Sequence, residues 1–141
     1  MDGTDIATRM LHMKNKILIV EDEFLMLSFL RQRTEKENFK VDIAIDGNQA
    51  IECIDKNKYD CILVDLMLPF VSGFELIAHI RANKQNKETP IIVLSALSTE
   101  STIIETLSIG ANDFLKKPFA LNVLLTKLKL LIGGHNLLRT A

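Results

Sequence analysis

The chain has 141 residues, 48% of them hydrophobic and 25% charged, with a formal net charge of −1 at pH 7. That length suffices for one domain with its own core, and the apolar fraction excludes a disordered chain. Lys and Arg are scattered among the acids, which leaves no electrostatic footprint for nucleic acid, and no apolar run approaches the roughly 18 residues of a membrane span.

The opening stretch, "MDGTDIATRMLHMKNK", carries early acids and no apolar signal core. A cytoplasmic location is expected, with residues 1–14 as a short tail, a domain over 15–132 and a second tail or linker start at 133–141. The first strand is read at "KILIV" (16–20), followed by a helix over roughly 23–37. "VDIAI" (41–45) alternates apolar residues with Asp42 and Ala44, as an edge strand would, and a helix over 47–56 follows Asp46-Gly47. "CILV" (61–64) and "PIIVL" (90–94) are continuously apolar, which suits central strands covered on both faces. Between them, Phe74, Ile77 and Ile80 recur at three-residue spacing in a helix over 73–84. A fourth helix is expected over 98–109 with Ser98 as its N-cap, then a weaker strand "DFLKK" (113–117) stopped by Pro118. Leu121, Leu124, Leu125, Leu128 and Ile132 form a one-sided stripe on a last helix over 119–132. Cys53 and Cys61 have no metal-like spacing and read as reduced, buried thiols; His12, His79 and His135 read as surface or rim residues.

Strands alternating with helices argue a three-layer α/β domain with a parallel five-stranded sheet, a flavodoxin-like (βα)5 fold of order 2-1-3-4-5. In such a sheet, acids cluster where strands end: Glu21-Asp22-Glu23 after the first, Asp65 after the third, with Ser95 after the fourth. All would share the carboxyl edge, where open α/β folds bind ligands. Two carboxylates at ~4 Å repel by about 4 kcal/mol at an effective dielectric of ~20, so the cluster calls for a cation. An all-oxygen site with an open face suits Mg²⁺, which keeps several waters and shares its shell with phosphate. Lys116 and Lys117 end the fifth strand, and alternation sends one of them over the site without saying which.

Taken together, "ILIVEDE" (17–23), "ILVDLMLPFVSGFEL" (62–76), "PIIVLSA" (90–96) and "GANDFLKKPF" (110–119) resemble the receiver domain of two-component response regulators over residues 16–132. The resemblance implies that Asp65 is the phosphoacceptor, that Glu21, Asp22, Asp65 and the carbonyl of Met67 hold Mg²⁺ (or Mn²⁺), and that Lys117 is the phosphate-pairing lysine. Ser95 would be the switch hydroxyl and Phe114 the switch aromatic, with a cis peptide before Pro118. Implied partners are a histidine kinase or histidine phosphotransfer protein upstream and a protein target or output domain downstream. A weak homodimer through the fourth helix, fifth strand and fifth helix is also implied, although the last helix lacks the acidic start common in regulators that pair this way. The first acid is Glu rather than Asp, and its longer arm suits a contact to metal through water. Met67 and Leu97, two residues after Asp65 and Ser95, cannot orient an attacking water, so slow self-dephosphorylation is expected. A phosphohydrolase would need an acid where Met67 stands. A receiver-like binding module without phosphorylation would have no need of the acid, Ser and Lys set.

Overall fold

The structure, a computed structural model, describes residues 14–140, with the backbone alone for 135–140. The expectations for His12, for most of the first tail and for the His135 side chain lie outside the described residues. The elements are β1 (Lys16–Val20), α1 (Phe24–Lys36), β2 (Lys40–Ala44), α2 (Gly47–Lys56), β3 (Cys61–Val64), α3 (Gly73–Ala82), β4 (Ile91–Ser95), α4 (Glu100–Ser108), β5 (Asp113–Lys116) and α5 (Leu121–Thr140). All strand pairs are parallel, in the order β2-β1-β3-β4-β5.

Side-chain alternation along the central strands divides the core into two layers. Leu18, Val20, Ile62, Val64, Ile91 and Val93 pack with Ala50 and Ile54 of α2 and Leu76, Ile77 and Ile80 of α3. Ile17, Ile19, Cys61, Leu63, Ile92 and Leu94 pack with Leu27 and Leu30 of α1 and Leu124, Leu128 and Ile132 of α5. Each fully buried Leu or Ile contributes roughly 1.5–3 kcal/mol, so both faces of the sheet are strongly held. Cys61 is buried and Cys53 half-buried, both as free thiols. His79 sits on the surface, where its Nε2 lies 2.8 Å from Asp55 Oδ1.

Boundaries differ from the sequence reading by one to several residues, for local reasons. β2 ends at Ala44 because the Ile45 amide donates to the Gln49 side chain instead of the ladder. α3 ends at Ala82 because Asn83 Oδ1 accepts from the amides of Gln85 and Asn86. The cap of α4 is Thr99, not Ser98: its hydroxyl accepts from the Thr102 amide, which starts the helix at Glu100. β5 stops at Lys116, and α5 runs on through Gly133-Gly134 to Thr140, beyond the expected end at 132. The peptide between Lys117 and Pro118 is cis.

Candidate functional site

Parallel pairing places every strand's carboxyl end on one edge. Val20 faces Val64 across β1 and β3, so Glu21 and Asp65 leave the ladder side by side. Their backbones are anchored: the Glu21 amide donates to the Ala44 carbonyl at 3.0 Å and the Asp65 amide to the Val20 carbonyl at 3.1 Å. Carboxylate oxygens of Glu21, Asp22 and Asp65 lie within 4.8 Å of one another. Glu21 is 3% exposed and Asp65 7%, whereas Asp22 faces solvent.

The last ladder position of β4 and β5 pairs Ser95 with Lys116. Lys117 follows, its amide donating to the Ser95 carbonyl at 2.9 Å. Its ammonium turns over the acids, at 2.9 and 3.1 Å from the two Glu21 oxygens and 3.3 Å from Asp65 Oδ2. Lys116 points outward and is exposed, which resolves the pair. The tight hold of Lys117 on Glu21 was not foreseen; the extra methylene of Glu over Asp is the signal that carried it.

Burial pushes the Glu21 carboxyl up to about 7; the Lys117 hydrogen bond opposes this and the neighbouring Asp65 reinforces it. Burial pulls Lys117 down, but its bond to Glu21 and the charges of Asp65 and Glu21 outweigh it and hold the ammonium above the usual lysine range. Three carboxylates against one ammonium leave negative charge uncompensated at an edge open on the Asp22 side. That donor set, all oxygen and partly solvated, fits a hard divalent ion such as Mg²⁺ or Mn²⁺. Lys117 holds both Glu21 oxygens at 2.9 and 3.1 Å and Asp65 Oδ2 more loosely at 3.3 Å, while the Asp22 carboxylate faces the open side.

Of the remaining predicted residues, Met67 bonds the cluster itself, Ser95 ends β4 and Phe114 lies within β5. The Met67 amide donates to Asp65 Oδ1 at 3.2 Å, and its side chain is exposed. Ser95 is fully buried at the end of β4, and its hydroxyl accepts from the Leu97 amide at 3.0 Å. Phe114, opposite Val93 in the ladder, is half-buried against the α2–α3 side of the core.

The sequence profile described as "Response regulator receiver domain" matches residues 17–129. The response regulator ArlR of Staphylococcus saprophyticus is 42% identical over 117 residues, covering 83% of this chain and 52% of that protein. The transcriptional regulatory protein SrrA of Staphylococcus aureus is 38% identical over 120 residues, covering 85% and 48%. The chain thus spans about half the length of these relatives. Among solved structures, the receiver domain of the Francisella response regulator 1452 superimposes with a TM-score of 0.81 at 34% identity, covering 86% of this chain and 99% of that one. The receiver domain of the sensor histidine kinase PA1611 from Pseudomonas aeruginosa PAO1, solved with magnesium coordinated in its active-site cleft, gives a TM-score of 0.79 at 31% identity, with the same coverages.

Proposed function

The chain belongs to the response regulator receiver domain family, and we propose that within it Asp65 accepts a phosphoryl group from a phosphohistidine on a histidine kinase or phosphotransfer protein. The observation that carries this reading is the meeting of the Glu21-Asp22 pair, Asp65 and Lys117 at one edge of the sheet, although these three stretches lie far apart in sequence. A carboxylate is a weak nucleophile, so placement and charge neutralisation do the work. An Asp65 oxygen attacks phosphorus in line, the phosphorus–nitrogen bond breaks, and the imidazole, protonated on its other nitrogen, leaves neutral. Asp22, Asp65 and the Met67 carbonyl would hold Mg²⁺, which would supply neutralisation of phosphoryl charge. Lys117 pairs with a second phosphoryl oxygen by loosening its hold on Asp65, and the Ser95 hydroxyl turns from Leu97 to a third.

The same movement of Ser95 opens space beside β5 for Phe114, altering the surface of α4 and β5 that a target protein, an output domain or a second copy would read. The chain acts on its own Asp65 and turns over no separate substrate. Incubation with Mg²⁺ and acetyl phosphate should add one phosphoryl mass to the wild type and none to Asp65→Asn. Equal labelling of both, or of neither, contradicts the reading.

A further inference from the structure

The loop between Asp65 and α3 is held in a shape that its own residues do not favour. Phe70, 81% exposed, has φ of 70°, a left-handed conformation that a bulky side chain rarely adopts. The hold comes from two bare α-carbons. At the α3 end, a Cβ on Gly73 would lie 2.5 Å from Leu66 Cα and 2.6 Å from the Asp65 carbonyl oxygen, and the Gly73 amide donates to Leu66 at 2.9 Å. On the outer side stands Gly47, the buried first residue of α2. A Cβ there would collide with Val71 Cβ and lie 2.6 Å from the Val71 carbonyl oxygen. The Gly47 amide also reaches the Pro69 carbonyl at 3.4 Å.

That support is itself braced. Asp46 Oδ1 accepts from the Gln49 amide at 2.8 Å while Gln49 Oε1 accepts from the Ile45 amide at 3.0 Å, fixing the start of α2 from both directions. We infer that Gly47 is a positioning residue for the Asp65 loop: it lets α2 and residues 69–71 close to backbone contact and so sets where Met67 stands beside Asp65. The inference rests on the proposed roles of Asp65 and the Met67 carbonyl. Gly47 touches none of the reacting groups. A methyl group at this position has no space, and since Val71 and Pro69 continue into Met67 within a short loop, displacement there is carried to the metal side of the site.

The test compares Gly47→Ala, which wedges the loop outward, with Val71→Gly, which withdraws the side chain resting on Gly47. Ile54→Val, a buried change in the same helix, serves as the control for lost stability. Two quantities are read well below each protein's unfolding temperature: the Mg²⁺ dissociation constant by calorimetry, and amide exchange at Met67, Val71 and Gly73 in the metal-free protein. The expected result is a dissociation constant raised about tenfold in Gly47→Ala, the low end for substitutions that disturb ligand support, and raised by less in Val71→Gly but beyond the control. Faster exchange at Met67 and Gly73 should accompany both, while Ile54→Val leaves affinity and exchange within about twofold of wild type. Affinity and exchange unchanged in both loop variants overturn the inference. If Gly47→Ala does not fold, Val71→Gly on its half-exposed loop decides alone. A wild type that binds no Mg²⁺ overturns the metal reading instead, and the metal-free exchange rates still decide whether Gly47 holds the loop.

Discussion

Glu21 shows how one side chain can work against the fold that carries it. Its carboxyl is raised from an ordinary 4.5 to about 7, chiefly by burial. Between those two pH values the folded protein keeps a proton that the unfolded chain has released. The stability due to this group is therefore present below about 4.5 and lost as pH rises through about 7. In metal-free protein the thermal midpoint should fall across that window, and Glu21→Gln should flatten the fall and raise stability at neutral pH. Parallel pH profiles for the two proteins would show that the group is not desolvated as described. A second residue-level expectation concerns Met67 and Leu97, both exposed and apolar beside Asp65 and Ser95. Neither can orient water, so the aspartyl phosphate should decay slowly, and Met67→Glu should speed its loss several-fold in a timed phosphate-release assay. An unchanged decay rate would place the attacking water elsewhere. At this scale the acids were legible, because carboxylates at strand ends stand out from apolar runs. The choice between Lys116 and Lys117 was not legible from periodicity, since it depends on where the ladder stops.

Elements are held in register by groups that no sequence pattern announces. Arg81, near the end of α3, donates from Nε and Nη2 to the Gly110 carbonyl at 3.0 and 2.7 Å, and from Nη2 to Asn112 Oδ1 at 2.9 Å. Its Nη1 reaches the carbonyls of Thr89 at 2.7 Å and Lys87 at 3.1 Å. One side chain thus ties α3 to the loops before β4 and β5. No carboxylate shares these bonds, and burial draws the Arg81 pKa down. Arg81→Met should lower unfolding free energy by about 2–4 kcal/mol, since it strands several part-buried carbonyls at once. Urea denaturation checks this, and a loss within about 0.5 kcal/mol, typical of an unconstrained surface site, would refute the staple. The elements' existence and type followed from period and length: the apolar runs of 17–20, 61–64 and 91–94 are strands, and the one-sided leucines of 121–132 are a helix. Their ends did not follow, because capping is a competition between neighbours. Ser98 and Thr99 both offer hydroxyls, and Thr99 wins through the Thr102 amide. Gln49 takes the Ile45 amide that would have extended β2.

The whole molecule couples two apolar layers to one polar edge. Because β1, β3 and β4 are buried on both faces, their order and direction are rigidly set, and the acids that follow β1 and β3 cannot avoid one another. Composition hints at the order 2-1-3-4-5 without fixing it: alternation suits β2 as an edge and continuity suits β1, β3 and β4 as the centre. What the chain alone did not disclose is the clamp on the loop after Asp65, since glycines chosen for close approach look the same in sequence as glycines chosen for turns. Asp65 is the residue expected to receive phosphate. Borohydride reduction of acetyl-phosphate-treated protein, followed by peptide mass spectrometry, reads the modified position directly. Homoserine at position 65, dependent on Mg²⁺, is the predicted result; reduction at another acid, or at none, contradicts it.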